Sequence, residues 1–184
     1  TCALPIWGSI GRQLTALLWA LVIVLATAAP VLAGGPPFRD RPTGADAHVI
    51  DDANVIPKVS RQALDEGLRA LAERTGTDLV IYLQVKTSAK GIEDATADAQ
   101  ALLAQWGVGG ETGDGAVLMI DFDKKQKGAW SGIAGGQALL DRVGKDALET
   151  TIADAVDPSL AVGAWQSAVT QAVVALTALA TGGE

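Results

Sequence analysis

Two apolar runs, Leu79-Val80-Ile81-Tyr82-Leu83-Gln84-Val85 and Ala116-Val117-Leu118-Met119-Ile120, constrain this chain more than any other feature. Each is short, almost continuously apolar and rich in β-branched residues, the pattern of a strand buried on both faces. Such strands need helices above and below them, and the flanking sequence supplies the signals. A helix is predicted from about Ser60, with Leu64, Leu68 and Leu71 on one face and Gly76 as its stop. A second runs from about Glu93 to Trp106, with Ala95, Ala99, Leu102, Leu103 and Trp106 on one side and Gly107 after it. His48-Val49-Ile50 reads as a short strand ended by Asp51-Asp52, and Lys127 to Gly132 as an antiparallel partner beyond the turn at Asp121–Lys125.

Further on, Gln137 to Arg142 and Lys145 to Asp154 read as short helical segments. Asp157-Pro158 has the form of a capping acid before a proline at a first helical position. Gly163 interrupts, and a last amphipathic helix buries Trp165, Val169, Ala172, Val173 and Leu176. The alternation predicts an α/β fold: a small three-layer sandwich, with a central mixed sheet of about four strands flanked by helices on both faces.

The start of the chain is different in kind. From Gln13 to Ala33 there is no charge, Arg12 sits just before, and Pro30 with Val31-Leu32-Ala33 supplies a small-residue cleavage pattern. Residues 1–33 are therefore expected to be a secretory signal peptide, with an uncleaved N-terminal membrane anchor as the rival, since about 20 apolar residues span a bilayer. The residues before Gly8 read as truncated or foreign. Residues 34–46 are expected to be a Pro/Gly-rich tether that forms no core. Residues 47–181 are then the folded domain, exported to the periplasm or the cell exterior, or held at a membrane facing outward.

Composition narrows the function. Fourteen Lys+Arg against 21 Asp+Glu give a net charge of −7, which argues against a nucleic-acid surface. One Cys and one His exclude a disulfide framework within the chain and a thiolate or His-rich metal site.

A family resemblance emerges from the order of short motifs. Val49-Ile50-Asp51-Asp52-Ala53 precedes a helix; Thr75-Gly76-Thr77-Asp78 opens a strand; Gly91-Ile92-Glu93 leads to Gln105-Trp106-Gly107-Val108-Gly109; and Gly113-Asp114-Gly115 enters the next strand. Asp157-Pro158 and Gly163-Ala164-Trp165 follow in place. From about Val49 to Leu176 the series resembles the TPM domain family. Its members are extracytoplasmic and include a thylakoid-lumen protein with acid phosphatase activity and a part in photosystem II repair. They also include calcium-binding bacterial domains and membrane-tethered modulators. The resemblance implies an acidic site at strand ends, Ca²⁺ as a cofactor, and membrane-associated proteins as partners, with phosphate-monoester hydrolysis as the alternative activity. It also implies a C-terminal anchor beyond Glu184. The family's Gly-x-Gly-Leu-Glu turn is altered here, with Ala134 and Gly136 at the second Gly and the Glu; this bears on catalysis more than on fold.

The acids are the candidate chemistry. Hard cations take several carboxylate and carbonyl oxygens from loops, and the resemblance places Asp51, Asp52 and Asp114 at one edge of the sheet, as metal ligands. Asp51 is the candidate catalytic carboxylate for a phosphatase. The alternative is that Asp51 and Asp52 cap the turn before the helix and Asp114-Gly115 is turn chemistry. Asp121-x-Asp123 imitates a metal motif, but strand length puts it at the opposite end from Asp114, and a hairpin turn with Lys124 and Lys125 explains it as well. His48 reads as structural, and Trp106, Trp130 and Trp165 as packing residues.

Overall fold

The computed structural model describes residues 38–44, 47–88 and 90–182. The chain divides between Gly34 and Gly35, and the described residues all belong to the second unit. The expected leader, residues 1–33, lies outside them, as do residues 34–37, 45 and 46 of the expected tether. Among the described residues no helix is long and apolar enough to cross a membrane.

Among the described residues four strands form one mixed sheet in sequence order: β1 (Val49–Asp51), β2 (Asp78–Val85), β3 (Gly115–Phe122) and β4 (Ala129–Gly135). The first three are parallel and β4 is antiparallel to β3. Among the described residues five α-helices surround them: α1 (Lys58–Thr75), α2 (Ile92–Trp106), α3 (Gln137–Val143), α4 (Lys145–Ala161) and α5 (Trp165–Thr181). Both expected apolar runs are the two central strands, and the α/β sandwich with helices on both faces is what the chain adopts.

Strand alternation divides the core in two. Leu79, Ile81, Leu83, Leu118, Ile120 and Phe122 face α1, α4 and α5. Val80, Tyr82, Val117 and Met119 face Ala95, Ala99 and Leu102 of α2. This arrangement has a topological consequence. The steps β1→β2 and β2→β3 go the same way across the sheet, yet α1 lies on one face and α2 on the other. The two crossovers therefore have opposite hands, so one departs from the right-handed rule. Among the described helices the departure leaves α2 alone on its face. It sits so close that a Cβ on Gly132 of β4 would stand 2.2 Å from the Thr96 backbone nitrogen.

Two expectations are corrected. Pro158 does not open a helix: α4 runs through it, from Lys145 to Ala161. Leu148, Ile152, Val156 and Leu160 continue one buried stripe across that position, and a proline in the last turn forfeits only one intrahelical bond. Nor is all of the Pro/Gly-rich segment a tether without a core. Phe38 is buried against Tyr82 with ring centroids 5.7 Å apart. Its backbone exchanges hydrogen bonds with the Gln105 amide at 3.0 and 2.6 Å.

The β1 edge of the sheet is closed by a side chain. Asp65, buried on α1, accepts the backbone N–H groups of His48 and Val49 at 2.7 and 2.9 Å.

Candidate functional site

Asp51 ends β1, where the chain turns through Asn54 with φ at 54°. Its two carboxylate oxygens accept the backbone N–H groups of Val55 at 3.2 Å and Ile56 at 2.7 Å, and it is 8% exposed. A carboxylate so used is a turn cap, and it is what holds the entry to α1. Asp52, beside it, accepts the Tyr82 hydroxyl at 2.5 Å and pairs with Arg39 at 2.9 Å. Burial, and then the Asp52 carboxylate as hydrogen-bond partner, push the Tyr82 phenol well above its ordinary range.

Asp114 lies elsewhere. It precedes β3 and accepts both terminal nitrogens of Arg142, at 3.0 and 2.9 Å, with the Thr77 hydroxyl at 3.2 Å. Its neighbour Asp78 is held by Arg41 at 2.6 and 2.7 Å and by the Gly109 N–H at 3.3 Å. Burial alone would raise the Asp78 carboxyl; Arg41, Gly109 and His48 outweigh it and hold the group below its ordinary value. His48 is itself buried, its Nδ1 3.0 Å from the Leu79 carbonyl, as a structural histidine would be.

The parallel register decides which acids meet. Asp51 is aligned with Leu83, whereas Gly115, which follows Asp114, is aligned with Asp78. In parallel strands a residue after one strand and a residue before the next occupy opposite ends of the sheet. At about 3.3 Å per residue, ~17–20 Å separates them, far beyond ligands bound within ~2.6 Å of one calcium ion. The expectation that Asp51, Asp52 and Asp114 share one edge is corrected: the first two come together and the third does not. Among the described residues no group of three or more His, Cys, Asp or Glu is placed to hold a metal ion, so Asp51, Asp52 and Asp114 do not form one shared Ca²⁺ site.

The second carboxylate pair stands with Asp51 and Asp52 at the carboxyl end of the parallel strands, on the face covered by α2. Gln84 of β2 and Asp121 of β3 are register partners. The Gln84 amide nitrogen donates to Asp121 Oδ1 at 2.8 Å and to Asp98 Oδ2, from α2, at 2.9 Å. Lys86 Nζ donates to the same Asp98 oxygen at 2.6 Å. Asp121 is 0% exposed and its Oδ2 has no hydrogen-bond partner. Burial, reinforced by the charges of Asp98 and Asp94 against the Gln84 amide and Lys86, raises its carboxyl to about 6. This is a titrating group buried inside the sheet. Asp123, the other half of the D-x-D pattern, behaves as turn chemistry. It accepts backbone N–H groups from Lys125, Lys127 and Gly128 at 2.8, 3.0 and 3.2 Å, and these, with Lys127 foremost, lower its carboxyl.

Asp98 was the residue that periodicity passed over. It lies on the same helix face as Ala95, Ala99 and Leu102, and an acid on an apolar stripe signals a buried partner. Gln84, breaking the apolar run before Val85, is the matching signal on β2.

A chloroplastic UPF0603 protein of Oryza sativa subsp. japonica is 28% identical over 124 residues, covering 67% of this chain and 38% of that protein. A chloroplastic UPF0603 protein of Arabidopsis thaliana is 28% identical over 130 residues, covering 71% and 41%. The chain thus spans about two fifths of the length of these relatives. The solution structure of the N-terminal domain of a P. gingivalis protein superimposes with a TM-score of 0.59 at 21% identity, covering 73% of this chain and 82% of that one. The N-terminal domain of a Corynebacterium glutamicum protein gives 0.50 at 18%, covering 83% and 88%. A family model for the TPM domain matches residues 49–179, and the chain belongs to the TPM domain family.

Proposed function

We propose that this TPM domain works outside the cytoplasm as a protein-binding module for membrane-associated partners, acting through its surface rather than through turnover. The observation that carries the reading is the engagement of its acids. Asp51 is taken by two backbone N–H groups, Asp52 by Arg39 and Tyr82, and Asp114 by Arg142 and Thr77. A phosphatase nucleophile needs an accessible oxygen beside a cation that receives the phosphoryl charge; Asp51 is 8% exposed and both its oxygens hold the turn into α1. The uncharged run Gln13–Ala33 and the chloroplastic names of the relatives support a site of action across a membrane.

The test is to crosslink the full chain in the cells that make it and identify adducts, alongside an assay for turnover of a chromogenic phosphate ester at acid pH with Ca²⁺ present. Adducts with membrane-associated proteins and no turnover are expected. Turnover that Asp51→Asn abolishes would overturn the proposal.

A further inference from the structure

The two edges of the sheet differ. The β1 edge is closed by Asp65, while among the described residues β4 pairs only with β3. The bonds Asp123 N–H to Gly128 and Gly136 N–H to Gly115 set the parity of that pairing. Even-numbered residues of β4 bond to β3, so the backbone N–H and C=O of Ser131 and Ile133 point outward. Among the described residues these groups meet no protein partner. They are also recessed: Ser131 and Ile133 are each 5% exposed.

The recess is a groove. A cavity of about 210 Å³ lies against Ser131 and Ile133, between Ile92 and Thr96 of α2 and Glu149, Ala153 and Asp157 of α4. A second of about 160 Å³ continues past Gly135, between Gln100 and Lys145. The wall residues recur every four positions on each helix, so each wall is a single helix face. Buried backbone donors and acceptors facing a cavity require partners, and a bare strand laid along β4 supplies them in register.

We propose that this groove takes an extended segment of another protein as a fifth strand, with a Lys or Arg directed toward the Ser131 end. The charge is complementary. Asp157, whose Oδ1 accepts the Ser131 hydroxyl at 2.6 Å and whose other oxygen is left for the partner's cation, and Glu149 are the acids of the α4 wall, and Glu93 and Asp94 line the adjoining hollow beyond Trp130. Of the two nearby lysines, Lys145 is already beside Glu149 at 3.6 Å and Lys90 lies in that outer hollow. A second copy of the chain does not fit, because two edges each sunk between helix walls cannot reach one another. The inference rests on the binding-module reading and names its partner's form.

The probe is a short peptide alternating valine with lysine, titrated into isotopically labelled full chain. Saturable amide shifts at Ser131, Ile133 and the facing walls of α2 and α4 are expected, with slowed exchange of the Ser131 and Ile133 amides. Glu149→Gln with Asp157→Asn is expected to weaken binding about tenfold, and N-methylation along the peptide's bonding edge to abolish it. Equal binding of the N-methylated peptide, shifts confined to another surface, or self-association through β4 would overturn the proposal. Cellular adducts at another surface without groove shifts would remove the groove and leave the binding module standing; absence of both removes both.

Discussion

Gln84 and Asp121 face each other across β2 and β3, joined at 2.8 Å from amide nitrogen to Oδ1, while the other Asp121 oxygen is buried without a partner. The consequence is a pH dependence of stability. Between its ordinary 3.8 and about 6, the folded carboxyl keeps a proton that the unfolded chain has released. Stability from this group therefore falls as pH rises through that window, and the penalty is complete above it. It amounts to on the order of 3 kcal/mol. Asp121→Asn is expected to melt higher than the wild type above pH 6, by up to roughly 10 °C, with the gap closing toward pH 4. Melting curves across that range check it; a gap independent of pH contradicts it.

Glycines separate packing from conformation. A Cβ on Gly132 would lie 2.2 Å from Thr96 N and 2.4 Å from Ala95 C, both backbone atoms of α2. Gly132→Ala is expected to cost about 3 kcal/mol or more, because neither atom can yield without moving the helix. Gly67, inside α1, has nothing within 4 Å of a Cβ. Gly67→Ala is expected to gain about 0.5–1 kcal/mol from helix propensity and chain entropy. Denaturant titrations of the two variants give opposite signs if the packing is as described.

Asp51 is expected to be a stability residue. Asp51→Ala leaves the Val55 and Ile56 N–H groups without their acceptor, at a cost of about 2–3 kcal/mol. Asp51→Asn retains one acceptor oxygen and is expected to lose less. Thermal melts of both variants, with and without Ca²⁺, check the assignment, and neither difference is expected to depend on the ion.

Asp114 belongs to a pair whose arginine is half exposed, with side-chain exposure of 42%. Arg142→Ala is expected to cost no more than about 1 kcal/mol. With Asp114 and Asp51 at opposite ends of the sheet, Ca²⁺ at about millimolar concentration, the range of the weakest extracellular modules, is expected to leave the amide spectrum of Asp51, Asp52 and Asp114 unchanged. Saturable shifts at all three would contradict the register-based placement.

Much of the fold was legible because its strands are buried on both faces and its helices carry one apolar stripe each. Leu79–Val85 and Ala116–Ile120, with the stops at Gly76 and Gly107, were enough to identify the sandwich, while the strand order came from the pairing. Pro158 misled because a proline after an acid looks like a helix start, while the stripe Leu148, Ile152, Val156 and Leu160 carries the helix through it. The candidate site was less legible. Asp51 and Asp114 looked equivalent as loop acids, yet their places after β1 and before β3 put them at opposite ends once the strands pair in parallel. Asp98 escaped notice because a count of apolar positions skips the acid among them. The groove on β4 depends on hydrogen-bond parity and on two helix walls meeting in space, neither of which adjacent residues reveal.

The most direct test places a photo-crosslinking residue at Ala153, on the α4 wall, and in a second full-length variant at Gln62, exposed on α1. Irradiation in the cells that make the protein is predicted to give an adduct from Ala153 alone, joined to an extended Lys- or Arg-bearing segment of a membrane-associated protein. An adduct from Gln62 with none from Ala153 would contradict the account.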